Sequence, residues 1–383
     1  MQDILDKIEV WACTIPLPAP LHLGMFSVLE RHYVAIRVST LGGLSADVIG
    51  HSRGSPLDVA LIDILAPRML GKDPLEISAR TADFHSATVA LERDGVFGRA
   101  WSLLELAFQG LRASALGLPA WQMLGGVSRQ VPVQLVEGYP LPDESDEAFA
   151  DRLLARVAEG YRALKIEAGS YGDREILLRR LRLVRAQASH VRLVVDFGWS
   201  LRSARENEHL LRALGELGVN WIEDPFARDA VGDYVEAGKM TRAPIGCGDE
   251  ASRISDLQRL VDADALDVVR LDATTLGGYS AVIPFSRALE QRGRRVSFHE
   301  HPEIHEHCIL ATPSIDHVEV FPKDRCFDLR HQLCTQSVHE RIRGGLLSPP
   351  VAAGLGVELD LAEVSRRAVR RGSRSLTESK SSN

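Results

Sequence analysis

The chain has 383 residues, 45% of them hydrophobic and 25% charged, and carries a net charge of −7. That length accommodates two ordinary domains, or one domain and a large barrel, and the acidic balance gives no reason to expect nucleic acid or an anionic membrane as a partner. No apolar run reaches the roughly 18 residues that suggest a membrane span, and the start, MQDILDKIEVWACTIPLP, lacks the basic-then-apolar order of a secretory signal. Cys13, Cys247, Cys308, Cys326 and Cys334 show no CxxC spacing, which argues against a disulfide framework or a structural zinc site. A cytoplasmic protein with reduced thiols is expected.

In chain order, IEVWACTIPL and HYVAIRVST read as extended, β-branched segments separated by the loop PAPLHLGMFSVLER. Helical patterns follow in PLDVALIDILAPRML and FGRAWSLLELAFQGLRASALG. Strands first and helices after predict a separate α+β domain over residues 1–128. From 129 to 322 the grammar changes: a short apolar run ends in a polar residue, and an amphipathic stretch follows. The runs are VPVQLVEG, ALKIEAG, VRLVVDF, NWIEDP, PIGCGD, DVVRLD, RVSFHE and HVEVFP. Strands alternating with 10–15-residue helical patterns imply βαβ units, and this many suffices for a closed barrel. An open doubly wound sheet is the alternative, but no GxGxxG follows a strand to open a helix. The expected fold class is therefore α/β, a modified TIM (β/α) barrel with an N-terminal α+β capping domain. Residues 323–365 are expected to pack back towards the capping domain, and 366–383, RRAVRRGSRSLTESKSSN, to form a flexible, solvated tail rather than a nucleic-acid arm.

Chemistry in such barrels occurs at the C-terminal strand ends. Those ends carry Lys165 and Glu167, Asp196, Glu223 and Asp224, Asp249 and Glu250, Asp272, His299, and Glu319. Asp196, Glu223 and Asp249 are spaced 27 and 26 residues apart, close to one βα unit each, so they should converge from three successive strands. A lone strand-end acid is commonly a salt bridge or helix cap. Three together repel unless a cation neutralises them, and a hard cation with oxygen ligands, magnesium by default, fits best. Asp272 and His299 end consecutive strands, and a carboxylate bonded to imidazole makes a competent general base. The stretch FHEHPEIHEH invites a zinc reading through His301, His305 and His307, but Pro302 interrupts it and the HExxH order is absent.

With their surroundings, these residues resemble the mandelate racemase and muconate lactonizing branch of the enolase superfamily. The likeness runs through SALGLPAWQMLGG, GYRALKIEAG, VVDFGWSL, NWIEDPF, PIGCGDEAS, LDVVRLDATTLGGYS and VSFHEHPEIHEH, in the family's order. It implies that Asp196, Glu223 and Asp249 bind Mg²⁺, with Glu250 the competing third ligand, and that Asp272 and His299 form a catalytic dyad. It implies further that Lys165 is the first lysine of a KxK pair and that Glu319 hydrogen-bonds a developing enolate. His51, Arg53 and the stretch Leu21 to Phe26 would lie on capping-domain loops that shape specificity. Two departures stand out: Glu167 replaces the second lysine, and Gly198 stands where asparagine is common.

The resemblance implies removal of a proton α to the carboxylate of a small-molecule substrate, by a homo-oligomeric enzyme. With Glu167 in place of a second lysine, β-elimination of water by an acid-sugar dehydratase, a hydro-lyase, is favoured. The alternatives are a racemase, epimerase or cycloisomerase, and a non-catalytic metal-binding barrel.

Overall fold

Runs rich in β-branched and other apolar residues draw the first fifty positions into an antiparallel meander of β1 (Leu5–Leu23), β2 (Phe26–Thr40) and β3 (Ser45–His51). The structure is a computed structural model that describes residues 3–377, apart from 24, 25, 92, 313, 316 and 326. Because side chains alternate across a sheet, Ile8, Val10, Val34, Ile36 and Val48 fall on one face, buried with residues of the long helix Val96–Ala115. Trp11, Cys13, Ile15, Tyr33 and Ile49 fall on the other, where Leu329, Leu333, Leu359 and Val364 of the C-terminal segment cover them. Both faces are covered, which is why HYVAIRV reads as nearly continuous apolar sequence.

The barrel strands are β4 (Val131–Val136), β5 (Ala163–Glu167), β6 (Arg192–Asp196), β7 (Trp221–Glu223), β8 (Ile245–Cys247), β9 (Val268–Leu271), β10 (Arg295–Phe298) and β11 (Val318–Val320). Parallel ladders join them in the order β11-β4-β5-β6-β7-β8-β9-β10, with a helix after each strand from β4 to β10. Among the described residues no ladder joins β10 to β11. That seam is bridged by Ser297 Oγ with His317 Nε2 at 3.0 Å and by the Glu300 N–H donating to Glu319 Oε1 at 3.1 Å. A hairpin of β12 (Ile342–Arg343) and β13 (Leu346–Leu347) pairs antiparallel with the start of β4. No described helix is long and apolar enough to cross a membrane.

One expectation is corrected at the C-terminus. Residues 366–383 were read as a solvated tail, yet Leu361–Arg367 is a helix and Ala368–Ser375 forms β14, antiparallel to β1. An edge strand needs backbone pairing on one side only, so polar composition does not exclude it. Its arginines stay largely exposed but find acids: Arg370 forks onto Asp58 at 2.6 and 2.7 Å, and Arg371 reaches Glu9. Residues 378–383 lie outside the described residues.

The two domains are tied by a carboxylate. Glu105, fully buried in the helix Val96–Ala115, accepts the Tyr279 and Ser280 backbone N–H groups and the Ser280 hydroxyl at the start of the barrel helix Tyr279–Gln291. It thereby caps that helix from outside its own chain segment. The approach requires glycine at 278: φ is +75°, and a Cβ there would stand 1.8 Å from Glu105 Oε2. Glu105→Ala leaves two buried N–H donors unpaired and should destabilise the protein by about 2–4 kcal/mol. A denaturant midpoint unchanged within error would show that this tie carries no stability.

Candidate active site

The strand ends place their side chains through a repeated backbone turn. Left-handed φ values occur at Gly198 and Trp199 after Asp196, at Asp224 after Glu223, at Glu250 after Asp249, and at Glu300 and His301 after His299. Such conformations cost energy in residues other than glycine and collect where geometry is imposed for function. The parallel register puts Glu167 beside Asp196 and Asp196 beside Glu223. The carboxylates predicted to converge do so: Asp196, Glu223 and Asp249 present oxygens all within 4.8 Å of one another.

Two cations sit among them. The Lys165 ammonium is 3.1 Å from Asp196 Oδ2, 3.5 Å from Asp249 Oδ2 and 3.3 Å from Glu319 Oε2, and it abuts Glu223 Oε1. Arg270, fully buried, donates Nε to Asp249 Oδ1 at 2.7 Å and Nη2 to Glu319 Oε2 at 2.8 Å, with Glu223 Oε2 3.3 Å from Nε. Arg270 was not singled out from sequence, although its position two before Asp272, on the same strand face, is a usable signal. Four carboxylates against two cations leave two negative charges among these six groups. A divalent cation would offset that remainder. Glu223 shows the strain of the imbalance. Burial, with Asp249 and Asp196 adding to it, pushes its carboxyl well above the usual range despite Arg270 and Lys165, and its Oε1 accepts no well-aligned hydrogen bond. Burial also opposes ionisation of Asp249, but Arg270, His299 and Lys165 hold that carboxyl well below its usual range. The donor set therefore fits a hard divalent ion.

Asp272 and His299 meet as expected, His299 Nδ1 lying 3.2 Å from Asp272 Oδ2. Asp272 Oδ1 accepts the Thr274 N–H and hydroxyl, each at 2.7 Å, so this carboxylate is fixed as an acceptor and is held well below its usual pKa against the effect of burial. Its demand for Nδ1–H turns Nε2 towards the triad, 3.6 Å from Asp249 Oδ2. Burial lowers the proton affinity of His299, but Asp249, Glu300 and Asp272 together raise its pKa to about 10. The neighbouring histidines are structural. His305 accepts the Ala273 N–H at Nε2 and donates Nδ1–H to the Glu300 carbonyl; His307 accepts the Trp121 N–H and donates to the Leu355 carbonyl.

Glu250 turns away from the triad. It accepts Arg53 Nε at 2.9 Å and is paired with Arg99, both from the capping domain, and these arginines keep its carboxyl at about 2 although burial works against it. His51 ends β3 with Nε2 2.8 Å from Glu300 Oε2, and Arg53 lies 3.7 Å from Glu300 Oε1. His51, Glu300 and His301 also offer ligand atoms within 4.8 Å, but Arg330 presses on His301 and Arg53 on Glu300, supplying positive charge already. Glu300 and Arg99 carried no sequence signal, because strand alternation has ended at one and the other lies on a helix of a different domain.

Three expectations are adjusted. Leu21 lies in β1 rather than on a loop and packs with Val136, Tyr139 and Phe321; Phe26 opens β2, and its side chain lies outside the described residues. Glu319, expected to hydrogen-bond a developing enolate, is engaged as an acceptor by its neighbours. Burial raises its pKa, but Arg270 and Lys165 lower it further, and it accepts from Arg270, Lys165, Gln134 and the Glu300 N–H. Glu167 does share the Lys165 face, and its carboxylate accepts the Ser170 N–H at 3.2 Å.

Lys165, Glu167, Asp196, Asp249, His299 and Glu319 line one cavity of about 900 Å³ between the barrel mouth and the capping sheet, together with His51, Arg53 and Arg99. Residues 148–364 match the family described as enolase C-terminal domain-like, and residues 7–125 match the mandelate racemase / muconate lactonizing enzyme N-terminal domain. An L-talarate/galactarate dehydratase from Salmonella typhimurium is 25% identical over 252 residues, 65% of this chain and 62% of that protein, so this match spans about three fifths of that relative. An N-succinyl-L-Arg/Lys racemase from Bacillus cereus is 22% identical over 304 residues, 76% of this chain and 78% of that protein. The crystal structure of an L-talarate dehydratase from Polaromonas sp. JS666, complexed with Mg and L-glucarate, superposes with a TM-score of 0.85 at 20% identity, covering 97% of this chain and 99% of that one.

Two measurements test the site. Asp249→Asn should abolish calorimetric Mg²⁺ binding while Glu250→Gln preserves it; the reverse pattern would move the third ligand to Glu250. In labelled-histidine NMR without divalent ions, His299 should titrate near pH 10. Positive charge at the triad opposes the imidazolium, so Mg²⁺ should lower that pKa. A His299 titration indifferent to Mg²⁺ would separate the imidazole from the triad.

Proposed function

The chain belongs to the mandelate racemase / muconate lactonizing enzyme family of the enolase superfamily, and from that premise we propose that it is a magnesium-dependent acid-sugar dehydratase. The reaction removes the proton α to a carboxylate and expels the β-hydroxyl as water, leaving an enol that becomes a 2-keto-3-deoxy acid. Asp196, Glu223 and Asp249 would hold Mg²⁺, which supplies positive charge at the substrate carboxylate as the α-carbon loses its proton. Lys165, in the same cluster, adds a second positive charge on that side. His299, its Nδ1–H held by Asp272, takes the α-proton at Nε2 and then returns a proton to the departing hydroxyl. One group thus serves both steps of a syn elimination.

The observation that carries this reading is an asymmetry across the cavity. On the β10 side stands an imidazole oriented by a carboxylate. On the β5 side, Lys165 is engaged by four carboxylates and Glu167 is bonded to the Ser170 amide. A racemase or epimerase needs an acid/base group on both faces, and in this chain that role would fall to Glu167. Relatives named as dehydratases and as racemases both occur at this level of identity, so the distinction rests on the residues of the site.

Incubation of acid sugars in D₂O with Mg²⁺ should give α-deuterium incorporation together with a 2-keto-3-deoxy product. His299→Asn should lower kcat by about 10²–10⁴-fold. Glu167→Gln should raise KM more than it slows exchange. Inversion at the α-carbon without loss of water, abolished by Glu167→Gln, would replace the dehydratase reading with a racemase.

A further inference from the structure

We propose that Arg31 and Tyr139 form a subsite for a second carboxylate, so that the substrate is a dicarboxylic acid; this rests on the acid-sugar reading above. Arg31 lies in β2, is 3% exposed and lines the same cavity as Lys165 and His299. Its Nε donates to the Phe327 carbonyl at 2.8 Å, which anchors the guanidinium from behind. Its two terminal nitrogens have no hydrogen-bond or ion-pair partner among the described residues. The other cations of the cavity wall are satisfied: Arg53 and Arg99 by Glu250, and Lys165 by the carboxylate cluster. A guanidinium anchored through Nε, with its terminal nitrogens unpaired at the cavity wall, is poised to meet an anion.

Tyr139 supplies the second arm. Its ring packs on Phe327, with centroids 4.3 Å apart, so one residue steadies both members of the pair. The loop that carries it is pinned by Arg152, which bonds the Tyr139 carbonyl, the Glu137 carbonyl and carboxylate, and Glu144. The Tyr139 hydroxyl has no partner among the described residues, and Tyr139 lines the cavity. Burial raises its pKa, so it stays a neutral O–H donor. Arg31, Lys165, Glu167 and Glu300 line the same cavity as Tyr139.

Two guanidinium N–H groups in a planar fork and one phenol O–H match the two oxygens of a carboxylate. A single positive charge balances a single negative one, whereas a phosphate dianion would keep an uncompensated charge here. A substrate with its reacting carboxylate at the triad and a second carboxylate at Arg31 would therefore be held at both ends.

The test measures binding without turnover. Straight-chain dicarboxylates from glutarate to pimelate, and the monocarboxylates of equal length, are titrated calorimetrically into the Mg²⁺-loaded protein. At the best-fitting length the diacid should bind at least about thirtyfold more tightly than the monoacid. Arg31→Met should remove that preference while monoacid affinity changes little. Tyr139→Phe, which keeps the ring on Phe327, should reduce it by about fivefold. No preference for diacids at any length, or an Arg31→Met variant that loses monoacid and diacid binding equally, overturns the proposal even if dehydration is observed. A diacid preference that depends on Arg31 supports the subsite even if no acid sugar is dehydrated, in which case only the reaction assignment fails.

Discussion

The barrel mouth is organised by charges that would be intolerable singly. Asp196, Glu223, Asp249 and Glu319 lie around Lys165 and Arg270 where solvent scarcely reaches. Removing one member of such a buried set strands its partners, at a cost of about 3–5 kcal/mol. The set is therefore held together by mutual dependence more than by net attraction. Its two uncompensated negative charges create the demand for a divalent ion, and the same field sets the proton affinity of His299 through Asp249. Ion affinity and basicity are thus two consequences of one arrangement.

The capping domain joins that arrangement through acids immediately beyond it. Glu250 and Glu300 follow Asp249 and His299 directly, and left-handed backbone at each turns its side chain outwards to Arg53, Arg99 and His51. Each strand end thus presents one residue to the chemistry and the next to the domain interface. A displacement of the capping sheet would pull on the residue adjacent to a candidate ligand and on the residue adjacent to the candidate base. Glu105, on the same helix as Arg99, adds a further tie by capping a barrel helix. The domain interface and the candidate site are thus joined through main chain only one residue long.

Barrel periodicity, the presence of an N-terminal capping domain before the barrel and the convergence of Asp196, Glu223 and Asp249 were legible in the sequence. So was the pairing of Asp272 with His299. All of these follow from local rules: strand period, the length of a βα unit, and the placement of strand ends at one mouth. Only the tertiary structure decided what depends on which distant groups share a space. It turned Glu250 towards two arginines, placed Arg270 beneath the triad, made Glu319 an acceptor, left Arg31 facing the cavity, and recruited the arginine-rich stretch 368–375 as an edge strand. The physical reason is that charge state and side-chain direction beyond a strand end are set by neighbours 100 or more residues away, and spacing along one chain carries no record of them.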